Sequence, residues 1–180
     1  MKNRMKKLTS FLALTVGALT LSASTVYLTE DYNENNTIAH AGIVLEKKEK
    51  VSELKGFRNK NAKEIFATAN LSLEVAKVED ESIIKVVKDG AVQEVVVTLN
   101  ISDDILAEDY YDAWEEKEEI FLEKCSQCHA APEIGHHTML EWEGLFGSMK
   151  GFAQPTPEEE IIIVRYLKTF ASDGIIKEEE

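Results

Sequence analysis

The chain has 180 residues, with 20 basic and 33 acidic side chains, a net charge of −13 and a mean hydropathy of −0.22. That length holds one ordinary domain or two small ones, and two are expected here. The acidity excludes a nucleic-acid binder of the usual kind, which needs cationic side chains against phosphate.

The first element is a leader. Lys2, Arg4, Lys6 and Lys7 precede an apolar, threonine-studded run from Leu8 to Ala23, the order of charge and hydrophobicity found in an export signal. At 16 residues the run is long for a signal core and short for a membrane span of about 20 residues, so 1–24 reads as a signal peptide or an N-terminal anchor. Ser22, Ala23 and Ser24 suit cleavage, whereas Ala39-His40-Ala41 lies far beyond the apolar run. The expected location is the periplasm. With the leader's four basic residues set aside, 16 basic side chains face 33 acidic ones, a net −17. Such a surface suits steering onto a basic docking patch of a partner protein, although solubility alone is an equally simple use of the charge.

Residues 25–42 are polar and read as a linker. Asp31, Asn33 and Asn35 alternate as in a calcium loop, but Asn36 replaces the turn glycine and Gly42 the closing glutamate, so no calcium site is expected. His40 reads as a solvated linker residue. From 43 to 101 the pattern is that of strands. Ser72 to Val78 alternates apolar with polar, and Ile83-Ile84-Lys85-Val86-Val87 and Val92 to Leu99 are joined through Lys88-Asp89-Gly90-Ala91, with Asp-Gly a favoured hairpin turn. Shorter runs at Ile43-Val44-Leu45 and Ile65-Phe66 complete a small antiparallel β domain. It carries no cysteine or histidine, and a structural or docking role is expected for it.

A helical module spans 102–175, followed by an acidic tail at 176–180. Ser102, with Asp103 and Asp104 behind it, predicts a helix start, and the helical pattern runs from Asp103 to Lys124. Tyr110, Trp114, Phe121 and Cys125 recur at nearly helical spacing. The helix delivers Cys125-Ser126-Gln127-Cys128-His129, the attachment pattern of c-type haem, in which two thiols add to the haem vinyl groups and the adjacent histidine becomes the proximal iron ligand. A thioredoxin-like pair would open a helix after a strand, and a histidine next to the second cysteine suits haem better than tetrahedral zinc. A disulfide or metal clip is the plainer alternative. One covalently attached haem c is expected, held by Cys125 and Cys128 with His129 on the iron.

After the loop Ala130 to Gly135, Thr138-Met139-Leu140-Glu141 reads as a capping box. Met139, Trp142, Leu145, Phe146 and Met149 share the apolar face of the helix that follows, where Gly144 and Gly147 permit close approach of a flat cofactor or a second backbone. Thr156 caps a last helix with Pro157 at its first position and Glu158 to Glu160 in its first turn. Ile163, Tyr166, Leu167 and Phe170 form its inner stripe, and Gly174 ends it. Met149, 20 residues past His129, is the expected distal iron ligand, with Met139 the alternative. His136 and His137 are close in sequence to His129 and read as loop residues or neighbours of a haem propionate.

The run Cys125-x-x-Cys128-His129, with Pro132, His137, Trp142, Met149, Thr156, Glu159 and Tyr166-Leu167, resembles the C-terminal monohaem cytochrome c domain of the pentahaem cytochromes of trimethylamine N-oxide respiration. The likeness covers about a third of the chain, from about Trp114 to Phe170. It implies His129 as proximal and Met149 as distal ligand, with electron delivery to a periplasmic terminal reductase in anaerobic respiration. Those cytochromes carry four further haems and a membrane anchor, whereas two cysteines allow one haem here. Electrons would therefore come from a multihaem cytochrome or a quinol dehydrogenase. The expected fold is α+β, a small antiparallel β domain followed by an all-α, class I-like cytochrome c domain. The expected function is single-electron carriage, not enzyme catalysis. A haem-containing docking or redox-sensing module is the alternative, and a small haem peroxidase using His136 or His137 ranks below both.

Overall fold

In the computed structural model, which describes residues 23–128 and 130–177, strands begin at Ser24 and continue to Ala107. Residues 1–22, which hold nearly all of the expected leader, lie outside the described residues, as do His129 and most of the acidic tail. The strands are β1 (Ser24–Leu28), β2 (Tyr32–Glu34), β3 (Thr37–Ala39), β4 (Val44–Lys47) and β5 (Ser52–Asn59), then β6 (Glu64–Phe66), β7 (Glu74–Val78), β8 (Ile84–Lys88), β9 (Val92–Leu99) and β10 (Leu106–Ala107). They form a ten-stranded antiparallel sheet in the order β10-β1-β4-β5-β6-β7-β3-β2, curled into a half-barrel, with β9 on the other side of β5 and β8 beyond it. The longest ladder pairs β5 with β9 from Ser52↔Leu99 to Asn59↔Val92. Strict alternation explains it: Val95, Val97 and Leu99 of β9 point inward and are buried, and Leu54 faces the same core from β5. The β8–β9 hairpin forms around Lys88 to Ala91, where the β-branched runs and the Asp-Gly turn predict it.

The linker reading of 25–42 is corrected by β1, β2 and β3. Val26, Leu28, Tyr32 and Ala39 supply too much inward apolar surface for a solvated connection, and all four are buried. Asn35 and Asn36 sit at φ 50° and 57°, the left-handed conformation that asparagine tolerates in a tight hairpin. The alternating Asp31, Asn33 and Asn35 thus belong to a hairpin and its approach. His40 is likewise not a solvated linker residue: its side chain is 27% exposed and lies between Asp31 and Glu74.

The expected all-α cytochrome c domain is also corrected. The molecule is mostly an antiparallel half-barrel with three helices, α1 (Tyr110–Cys125), α2 (Met139–Ala153) and α3 (Pro157–Phe170). The expected helix from Asp103 is divided. Asp103–Ile105 forms a 3-10 turn, Leu106 and Ala107 pair with β1, and α1 starts only at Tyr110 with Asp109 as its cap, whose side chain accepts from the Tyr111 backbone N–H. The physical reason is that the inner stripes of α1 and α3 bury themselves against the sheet. One hydrophobic core runs from Leu28 and Ile43 through Trp114 to Tyr166, Phe170 and Ile176. Ile176, expected in the acidic tail, is 5% exposed.

The joint is specific. Trp114 is buried and its indole N–H donates to the Gly42 carbonyl at 3.1 Å. Gly42 has φ +83°, and a Cβ there would stand 2.2 Å from the Trp114 ring, so only glycine fits. Arg165 of α3 donates to the carbonyls of Glu74 (2.8 Å) and Ala41 (3.3 Å), and Lys168 donates to the Ser72 carbonyl (2.7 Å). Rings of Tyr110, Phe170, Trp114, Tyr166 and Phe121 follow one another at centroid separations between 4.9 and 5.8 Å. Burial of each large apolar side chain contributes roughly 1.5–3 kcal/mol, and each aromatic pair about 0.5–1.5 kcal/mol more.

Candidate functional site

The far ends of the helices leave a space between them. The end of α1, one face of α2 and Leu167 in the last turn of α3 wall an open cleft of about 290 Å³. Its lining is mainly apolar: Phe121, Pro132, Trp142, Phe146, Met149, Phe152, Ala153 and Leu167, with Cys125, Cys128, Gln127, Lys124 and Lys150. Helical spacing explains the α1 contribution, since 121, 124, 125 and 128 follow one stripe. Both α2 and α3 start with complete capping boxes, Thr138 with Glu141 and Thr156 with Glu159, as their sequences predict.

Cys125 is the last residue of α1 and half-buried, and burial pushes its thiol pKa up. Cys128 is exposed, and both are free thiols. His129 follows immediately and lies outside the described residues. The turn between the cysteines is pinned back on α1, with the Ser126 N–H on the Leu122 carbonyl at 3.0 Å and the Gln127 amide on the Glu123 carbonyl at 2.9 Å. The loop beyond it is held by α2, where the Trp142 indole N–H donates to the Ile134 carbonyl at 2.9 Å.

The two methionines named from the sequence separate. Met149 is half-buried and lines the cleft with the cysteines, whereas Met139 is fully buried and absent from the lining, its backbone N–H donating to Asp173 at 2.7 Å. His136 is exposed, 2.8 Å from Glu133, and His137 stands edge-on to Trp142 at a centroid separation of 4.9 Å. Neither histidine lines the cleft. No second backbone closes on Gly144 or Gly147: a Cβ at either position meets no protein atom within 4 Å. Of the aromatic stripe on α1, Phe121 faces the cleft, while Tyr110 and Trp114 pack at the joint with the sheet.

Sequence reading missed the cleft's two cations and its rim. Lys124 is 17% exposed and pairs with Glu159 at 3.1 Å, and Lys150 is 47% exposed and pairs with Glu160 at 2.7 Å. The stripe shared with Phe121 and Cys125 is the signal that points to Lys124. Phe152 lines the rim at 85% exposure, and only its place one turn past Ser148 and Met149 hints at that.

The donor set fits a covalently attached haem. Two free thiols at the required spacing lie on the walls of an apolar cleft, and the Met149 thioether lies there too. Among the described residues no helix is long and apolar enough to cross a membrane.

Comparison with known proteins agrees in part. No family model matches the chain. No solved structure matches it. Over 68 residues the chain is 34% identical to the cytochrome c-type protein TorC of Escherichia coli (strain K12), and equally to that of Escherichia coli O157:H7. The match takes in 38% of this chain and spans only 17% of the length of those relatives. Part of the chain is thus similar to a c-type cytochrome, which gives a general indication of haem binding and electron transfer.

Proposed function

We propose that the protein is an exported, periplasmic monohaem c-type cytochrome that carries single electrons between respiratory donors and a terminal reductase. The observation that carries the reading is that Cys125, Cys128 and Met149 line one apolar cleft, with His129 next in the chain. When bound, haem c supplies a one-electron Fe(III)/Fe(II) couple.

The residues of the chain have distinct parts in this reading. Cys125 and Cys128 would hold the macrocycle as thioethers, and His129 and Met149 would be the iron ligands. Phe121, Trp142, Phe146 and Leu167 exclude water. A thioether ligand and an apolar surround both favour the ferrous state over bis-histidine ligation, so a raised potential is expected. Electron transfer needs no general acid, which accords with the positions of His136 and His137 away from the cleft. The donors in this reading are a multihaem cytochrome or a quinol dehydrogenase, and the acidic surface suits partners with basic docking patches.

The test is the optical spectrum of protein exported with haem-attachment machinery, in both oxidation states. Haem that stays attached through denaturation, and a native spectrum that is low-spin with the far-red ferric band of a sulfur–iron contact, are the expected results. Absence of covalent haem overturns the reading. Met149→Ala is expected to lower the potential and open the iron to added ligands, and an unchanged spectrum and potential would remove Met149 from its role.

A further inference from the structure

Lys124 and Glu159 join the two elements that wall the cleft beside the attachment cysteines. Lys124 Nζ lies 3.1 Å from Glu159 Oε1, with side-chain exposures of 17% and 25%. Glu159 is fixed from two sides, because its Oε2 also accepts the Thr156 backbone N–H at 2.7 Å in the cap of α3. That backbone bond and the Lys124 ammonium hold the carboxyl below its usual pKa, so it is ionised at neutral pH. The two charges are not equivalent. Lys124 lines the cleft and directly precedes Cys125, whereas Glu159 stands behind it and is absent from the lining.

A partly buried charge on the wall of a cleft that would hold a redox centre acts on the potential of that centre, because reduction adds one negative charge and partly buried surroundings screen weakly. We propose that Lys124 and Glu159 form a redox-tuning ion pair on the cleft wall. Lys124 favours the reduced state, Glu159 opposes it, and their opposition sets the potential. This rests on the haem reading above. The electron comes from a donor protein, or from an electrode in the test, and no proton moves at the pair. The second pair, Lys150 with Glu160, is 47% and 38% exposed, so solvent screens it and its influence is smaller.

The experiment measures midpoint potentials of the haem-loaded full chain by spectroelectrochemistry for wild type, Lys124→Gln, Glu159→Gln, the double variant and Lys150→Gln. Glutamine at 159 keeps the acceptor that the capping box needs, so the change is one of charge. Expected are a downward shift for Lys124→Gln, a smaller upward shift for Glu159→Gln, a downward shift for the double variant that is smaller than that of Lys124→Gln, and a smaller shift for Lys150→Gln than for Lys124→Gln. A purely structural role would move both single variants in the same direction. That result, or potentials unchanged in both, would overturn the proposal while the haem spectrum kept the carrier reading intact. A wild type without covalent haem would overturn both.

Discussion

The joint between helices and sheet and the cleft between the helices use the same side-chain chemistry to opposite ends. At the joint, Trp114 is 3% exposed, its N–H is satisfied by Gly42, and Arg165 and Lys168 give their protons to backbone carbonyls of the sheet. At the cleft, Phe121, Phe146 and Leu167 form a floor that is itself buried, but Met149 is only half-buried and Phe152 is 85% exposed at the rim. Folding therefore covers the apolar stripes of α1 and α3 and leaves apolar surface open mainly on the last turns of α2, at Met149 and Phe152. An apolar cleft with an open rim and two free thiols is what a site for an attached cofactor requires.

The comparison breaks if the joint is not where stability resides, and Trp114→Ala gives the largest effect. It removes a buried aromatic, its contacts with Tyr166 and Phe170, and the partner of the Gly42 carbonyl. A loss of about 3–5 kcal/mol is expected in denaturant unfolding. Arg165→Met comes next, because it leaves the Glu74 and Ala41 carbonyls short of a donor, a cost of about 1–3 kcal/mol. Either variant unfolding like wild type would place the core elsewhere.

The joint also predicts a pH response in the histidine range. His40 lies 3.6 Å from Asp31 and 4.0 Å from Glu74. Burial first, and then the Arg165 guanidinium, lower its pKa against the opposing pull of the two carboxylates. The unfolded chain, with an ordinary histidine pKa of about 6.5, therefore takes up a proton before the folded protein does. Stability from this group is complete above that pH and is lost as pH falls from there to the folded pKa. His40→Gln is expected to flatten the pH dependence of the unfolding midpoint in that window, and a slope equal to wild type would assign the response to another group.

Much of this was legible one element at a time. The β8–β9 hairpin, both capping boxes and the last helix with Pro157 at its start are local signals, and local sequence states them. What could not be read is which faces meet. Tyr110, Trp114 and Phe121 lie on one helical stripe, yet the first two close the joint with the sheet and the third faces the cleft, because the stripe is longer than either contact. The strands in 25–42 were hidden for a related reason. Their inward residues are interrupted by polar residues such as Asn33, Asn35 and Asn36, and β3 is fixed mainly by its ladder with β7, a neighbour far along the chain. Met149 and Met139 share a stripe as well, and only the tertiary arrangement separates the one in the cleft from the one in the core.

The smallest effect sharpens the comparison from the cleft side. Phe152 is as large an apolar residue as the joint holds, but its exposed ring has given up little water on folding, so Phe152→Ala should change unfolding stability by no more than about 0.5 kcal/mol. The pair of substitutions, Trp114→Ala against Phe152→Ala, compares two aromatic truncations one helix apart in the chain that differ in what covers the ring. A loss at Phe152 near that at Trp114, measured by denaturant unfolding of the haem-free chain, would mean that the rim is part of the core. Near-neutrality means that its apolar surface is held in the open by a fold that does not depend on it.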